Sequence, residues 1–241
     1  MPTGQNMCTQ TKLLQLINNS AMASNINKPI VLITAGPTRE AIDPVRYITN
    51  HSSGKMGFAI ADELALLGAD VILVAGPSAQ VSKQQAVKRI DVTSALEMLE
   101  ACLSHFKNSK ACIMSAAVAD YTPVEVASQK IKKKDQNFNI EVKKTTDILS
   151  VLGAQKKTGQ LLAGFALETN DEEKNAIDKL QKKNLDFIVL NSLNDEGAGF
   201  KKDTNKITII SSNLQKTTYD LKSKEEVARD ICQKVLEFIK G

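Results

Sequence analysis

The chain has 241 residues, 42% apolar and 24% charged, which suits one large domain or two small ones with a full buried core. Its 31 basic against 27 acidic residues leave +4, mild enough for small anionic substrates. That charge, with 4% aromatics and no Trp for base stacking, argues against a nucleic-acid surface.

The four cysteines, Cys8, Cys102, Cys112 and Cys232, contain no C-x-x-C pair, and with two histidines they make no zinc pattern. No signal peptide, lipidation motif or long apolar run is present, so a reduced, cytoplasmic protein without membrane contact is expected.

Residues 1–28 are rich in Asn, Gln, Thr and Ser and read as a mobile extension, with Pro29 opening a single domain over 29–241. Ile30–Ala35 reads as a buried strand. Met56, Ile60, Leu64 and Leu67 recur at helical spacing, which predicts a helix over 54–67 with Ser52 or Ser53 as N-cap. The connection between them, roughly eighteen residues, exceeds the usual βα loop and marks a functional segment.

Asp70–Ala75 is the second strand, a short one follows near 88–92, and Ser94 with Glu97 opens a helix through a capping box. Ala111–Met114 is a buried strand. The alternation then breaks: residues 130–144 hold six lysines, and 137–142 alternate polar with apolar. This is an inserted arm, about 122–144, with a lysine-bearing flap and an exposed strand.

A helix follows with Thr145 or Thr146 as N-cap and Asp147 in its first turn. Next come a strand at 161–166, a helix at 171–183, a strand at 186–190, a glycine-bearing loop at 191–203 and a strand at 206–210. The last helix starts at the Ser223–Glu226 capping box and carries the stripe Val227, Ile231, Val235 and Ile239. The fold class is α/β: a doubly wound, mostly parallel Rossmann-like sheet with the flap and β-arm inserted. Ligands on such a sheet collect at the strands' carboxyl ends, here after Ala35, Met114 and Ala166.

The run Asn50-His-Ser-Ser-Gly-Lys-Met-Gly57 offers helix N–H groups to an anion, with glycine permitting close approach. It is not a P-loop, which needs Gly where Thr49 stands and Ser or Thr where Met56 stands. A glycine turn that merely caps a core helix explains it equally well. Asp120 can accept from a ribose hydroxyl or a base amino group, or can stabilise a turn. Lys130, Lys132, Lys133 and Lys134 can charge a polyphosphate site or simply face solvent. Lys179 and Lys183, at i and i+4, share a helix face. No Ser-His-Asp or Cys-His arrangement appears, and His51 is a lone histidine in a loop. The residues by themselves describe an α/β protein that binds a phosphorylated small molecule, with a nucleotide as the favoured candidate. A nicotinamide oxidoreductase on the same sheet would need a G-x-G-x-x-G turn that is missing, whereas a nucleotide sensor would keep the pocket without turnover.

Seven motifs then occur in order: Ile33-Thr-Ala-Gly-Pro-Thr-Arg-Glu40, Asp43-Pro-Val-Arg-Tyr47, Asn50 to Phe58, Ser115-Ala-Ala-Val-Ala-Asp-Tyr121, Lys130-Ile-Lys-Lys133, Gly164-Phe-Ala166 with Glu168-Thr169-Asn170, and Lys183-Asn-Leu-Asp186. Together they resemble the bacterial phosphopantothenate–cysteine ligases of coenzyme A biosynthesis, over about residues 29–240. That ligase is commonly the C-terminal half of a fusion with a flavin-dependent decarboxylase.

The resemblance implies a reaction in which the carboxylate of 4′-phosphopantothenate attacks the α-phosphate of CTP. The acyl-cytidylate and pyrophosphate result, and the amine of cysteine then displaces CMP. It implies Mg²⁺ as cofactor and a homodimer built partly from the arm. By position, Lys130 resembles the flap lysine that contacts the phosphates, and Asn50 the asparagine that holds the acyl-nucleotide for cysteine. Arg46 and Ala117 match positions implicated in that second step. Met114, Ser115, Ala116, Asp120, Lys130, Thr146, Asp147, Ile148, Leu149, Phe165, Lys179 and Lys183 match nucleotide-binding positions. Thr145-Thr-Asp-Ile148 departs from the frequent Asn-Pro-Asp-Ile, which matters little if backbone groups read the base.

Overall fold

A computed structural model describes residues 28–132, 139–168, 170–192 and 203–240. Residues 1–27 of the expected extension at 1–28, Lys133, Lys134 and most of the 191–203 loop therefore lie outside the described residues.

Eight strands form the central sheet: β1 (Ile30–Ala35), β4 (Asp70–Ala75), β5 (Val87–Asp91), β6 (Ala111–Met114), β9 (Leu161–Glu168), β10 (Phe187–Ser192), β12 (Ile207–Ser211) and β13 (Lys216–Thr218). Their spatial order is β13-β12-β10-β9-β6-β1-β4-β5. The run from β10 to β5 is parallel throughout, and β12 and β13 close the edge as an antiparallel hairpin. The chain walks outward from β1 through β4 and β5, then returns to lay β6 on the other side of β1. That reversal is the topological switch point, where the loops of neighbouring strands splay apart and leave a crevice at the carboxyl ends.

Strand alternation assigns the two faces. Val31, Ile33 and Ala35 point to one core, which helices α1 (Lys55–Leu66) and α5 (Lys224–Lys240) cover. Leu32 points to the other, covered by α2 (Ala95–Phe106), α3 (Ile148–Gln155) and α4 (Glu172–Lys182). In α5, Val227, Ile231 and Val235 are fully buried, with Ile239 packed at the edge. Its capping box closes as expected: Ser223 Oγ accepts from Glu226 N–H, and Glu226 Oε2 accepts from Ser223 N–H. Three buried aliphatics at about 1.5–3 kcal/mol each outweigh a cap worth about 1 kcal/mol, so burial docks the helix and the cap sets its start.

Three local expectations are corrected. Neither Ser52 nor Ser53 caps α1; the N-cap is Gly54 at φ 85°, with no side-chain cap bond. Helix α3 is capped by Asp147, whose carboxylate accepts from Ser150 N–H, so Thr145 and Thr146 fall before the helix. The carboxylate takes the N-cap because the helix starts one residue later than the threonines would set it, at Ile148, the first buried residue of its stripe. In the arm, the described pairing is β7 (Tyr121–Pro123) with β8 (Val142–Lys144), later in the chain than the alternating run 137–142. The long connection after β1 holds its own hairpin, β2 (Arg39–Ala41) with β3 (Tyr47–Thr49).

Helix α3 sits hard against the end of α4. A Cβ at Gly153 would stand 2.1 Å from the Lys183 carbonyl oxygen, and Asn184 Nδ2 donates to Gly153 O at 3.0 Å. Gly153→Ala should therefore cost about 1–3 kcal/mol in urea unfolding, the usual cost of overpacking, because the atoms met are backbone and cannot rotate away. A stability within a few tenths of wild type would show that the two helices can separate freely.

Candidate functional site

The carboxyl ends of β1 and β6 are laced together. Thr34 Oγ1 accepts from Ala116 N–H at 3.1 Å, and Thr38 Oγ1 accepts from Ala119 N–H at 2.9 Å. Ala117 N–H donates to Gly36 O at 2.9 Å, and both threonines are fully buried. Beyond this seam an open cleft of about 700 Å³ runs between the start of α1 and the helices of the opposite face.

One end of the cleft is the start of α1. A Cβ at Gly57 would lie 2.6 Å from the Ala35 Cβ, so glycine lets the first turn press onto the end of β1. With Gly54 as N-cap, the first-turn N–H groups are not consumed by a side chain and can meet an anion. Lys55 lies here, its Nζ 2.5 Å from Asp203 Oδ1. Buried Lys224, the first residue of α5, lines the same end, and burial first, then the Lys55 charge, pushes its pKa down.

At the other end stand Lys179, in the last turn of α4, and Lys183, the residue that caps its carboxyl end, both lining the cleft. Lys179 Nζ donates to Phe165 O at 2.8 Å, and Lys183 Nζ lies 2.6 Å from Asp147 Oδ2. Burial, then the Lys183 charge, lowers the Lys179 pKa, and an anion arriving beside it would favour the charged ammonium. Between the ends lies Asn50, whose Nδ2 donates to Ala117 O at 3.1 Å and Val118 O at 3.0 Å. Both amide hydrogens are spent on backbone, so Oδ1 is the group left for a ligand.

The structure thus brings Asn50, Met114, Ser115, Ala116, Ala117, Asp120, Thr146, Asp147, Ile148, Leu149, Phe165, Lys179 and Lys183 around one cleft. Lys130 and Arg46 do not line it. Lys130 is exposed in the arm. Arg46 is spent on Asp43 through Nε and Nη2, and its Nη2 also donates to Ile131 O at 3.0 Å. Asp43 Oδ2 accepts from Ile131 N–H at 3.1 Å, so the pair grips the backbone next to Lys130. The Arg46 guanidinium holds the Asp43 carboxyl well below the usual carboxylate range.

Thr34, Lys144, Asn191, Asn205 and Lys224 also line the cleft and were not singled out from the sequence. Lys144 was one of six lysines in the arm with nothing to distinguish it. Lys224 looks like any polar first-turn residue until burial is known, and Asn205 becomes visible only through its contact with Asn191.

Among the described residues no group of three or more His, Cys, Asp and Glu could by itself hold a metal. Mg²⁺ does not need such a cage, since it binds mainly through substrate phosphates with one or two carboxylates. Asp120, in the cleft and without a described ion pair, fits that donor set. No helix among the described residues is long and apolar enough to cross a membrane.

Comparison with known proteins adds to this geometry. The family described as the DNA/pantothenate metabolism flavoprotein C-terminal domain matches residues 26–239. The chain is 50% identical over 214 residues to a cysteine/cysteine sulfinic acid decarboxylase of an unknown prokaryotic organism, covering 89% of this chain and 60% of the relative. It is 48% identical over 205 residues to the coenzyme A biosynthesis bifunctional protein CoaBC of Bacillus subtilis (strain 168), covering 85% and 50%. The chain therefore spans about half the length of the curated relatives it matches. A crystal structure of the C-terminal domain of a CoaBC bifunctional protein superposes with a TM-score of 0.75 at 42% identity, covering 89% of this chain and 99% of that one.

Proposed function

The chain belongs to the DNA/pantothenate metabolism flavoprotein C-terminal domain family, and from that membership we propose that it is the ligase of coenzyme A biosynthesis joining 4′-phosphopantothenate to cysteine with CTP. The observation that carries the reading is a single cleft with cationic groups at both ends and Asn50 between them. Such a shape suits two anionic substrates meeting head to head.

In this reading the nucleotide lies toward Lys179, Lys183 and Asp120, with the base against Met114, Ser115, Ala116, Phe165 and the 146–149 segment. The phosphate of phosphopantothenate lies toward the α1 start. The substrate carboxylate attacks the α-phosphorus, a P–O bond to pyrophosphate breaks, and an acyl-cytidylate forms. The amine of cysteine, having lost a proton, then attacks the acyl carbon and CMP leaves. Little covalent work falls to the protein; it aligns reactants and places cations where charge gathers. When bound, Mg²⁺ supplies charge neutralisation on the phosphates. Lys130 closes onto the phosphates from the arm, and Asn50, beside Ala117, accepts from the incoming amine.

We further infer a homodimer. Tyr47 on the hairpin and Tyr121, Val124, Val126, Ile140 and Val142 on the arm all expose apolar surface along neighbouring segments, the usual mark of a covered face. Residues 29–241 would form one domain, working with a decarboxylase that is fused or separate.

The test is pyrophosphate release from CTP or ATP with Mg²⁺, each with and without 4′-phosphopantothenate. Release that requires phosphopantothenate and favours CTP is expected. Binding without release would instead make the protein a nucleotide sensor.

A further inference from the structure

Strand β11 (Thr204–Asn205) pairs with β14 (Lys222–Ser223), which leads directly into α5. This small ladder carries Asn205 into the cleft beside the anion-binding end: Lys224 N–H donates to Asp203 O at 2.9 Å, and Asp203 reaches Lys55. Asn205 is 4% exposed. Its Nδ2 donates to Asn191 Oδ1 at 3.1 Å, while its own Oδ1 is, among the described residues, the one buried side-chain atom without a hydrogen-bond partner.

An asparagine kept for the local fold would satisfy both ends of its amide, because an orphaned buried carbonyl costs stability. Asn205 satisfies one end only, and the bond it makes goes to another cleft residue. The effect of that bond falls on Asn191, at the end of β10. With Asn191 Oδ1 engaged, its NH₂ is the half of the amide left toward the cleft. An amide free to rotate would offer either a donor or an acceptor, and only the donor suits an anion.

We propose that Asn205 is a positioning residue that locks the Asn191 amide with its NH₂ toward a phosphate monoester bound against the start of α1. This rests on the reading of the cleft as a site for two anionic substrates, and it assigns the Asn191–Asn205 pair to the monoester, not the nucleotide. The unpaired Asn205 carbonyl is the residue of that arrangement: the amide is oriented by what its NH₂ must hold.

The test is titration calorimetry of the full chain with 4′-phosphopantothenate and, separately, with CTP. Asn205→Ala should weaken phosphopantothenate binding by roughly tenfold, the scale of one oriented hydrogen bond, and leave CTP within twofold. Asn205→Asp should be weaker still, since a carboxylate can only accept, turning the Asn191 carbonyl toward the anion. In an Asn191→Ala background, Asn205→Ala should add no further loss. Equal losses for both ligands, or the same tenfold loss without Asn191, would overturn the proposal. Asn205→Ser serves should the alanine variant fold poorly. Affinity is read without turnover, so a chain that binds both ligands yet ligates nothing would lose the ligase reading and keep this one.

Discussion

Asn50→Asp should leave pyrophosphate release close to wild type while cutting formation of the cysteine adduct by roughly a hundredfold, the scale of losing one preorganised polar group at a reacting centre. The side chain sits at the joint between the two cationic ends, fixed by two donor bonds to Ala117 O and Val118 O. Aspartate matches its size but has no hydrogens to give. The two carbonyls would then face a carboxylate, and repulsion would swing the side chain away from the point where the amine arrives. The groups serving the first step, Lys179 on α4 and Lys183 at its C-cap, are untouched. Rapid quench with mass detection should therefore show the acyl-nucleotide accumulating when cysteine is present. Loss of both half-reactions together would mean that Asn50 organises the nucleotide and not the attack on it.

The parts legible in the sequence share a physical reason: each depended on local pattern. Val31–Ala35 is an unbroken run buried on both faces, the α5 stripe repeats with the period of a helix, and the Ser223–Glu226 box is a contact within one turn. The mostly parallel sheet followed from the alternation of such elements. What escaped depended on distant partners. The β2–β3 hairpin has strands of three residues, too short to show a period, and is held partly by Arg39 N–H to Thr93 O and by Glu40 Oε1 accepting from Ala95 N–H. The β13 edge, Lys216–Thr218, is polar and exposed on every residue, so only its pairing with β12 reveals it. In the candidate site, the motif stretches around Asn50, Ala117 and Phe165 were visible as runs. Asn205 and Lys224 were not, because a buried Asn or Lys differs from a surface one only through the atoms folded over it.

Lys130→Gln should lower acyl-nucleotide formation by roughly a hundredfold without moving the melting temperature, since it removes a cation from charge developing on phosphate and takes nothing from the core. Lys130 is exposed and outside the cleft lining, so its reach must come from the arm. The arm is not loose at this point. Buried Asp43 accepts from Val45, Arg46 and Ile131 backbone N–H groups as well as from the Arg46 guanidinium, and Arg46 returns a bond to Ile131 O. Both backbone polar groups of Ile131, the residue next to Lys130, are thus fastened to the turn between β2 and β3. That hairpin ends one residue before Asn50, so a single anchor fixes the root of the flap and the approach to the joint. Arg46→Ala should accordingly reproduce part of the Lys130→Gln defect, about tenfold in the first half-reaction, even though Arg46 touches neither end of the cleft. The resemblance places Arg46 in the second step, and the two assignments separate cleanly in a quenched time course. A slow rise of acyl-nucleotide marks an anchor of the flap; a normal rise with slow decay marks a group that holds the intermediate.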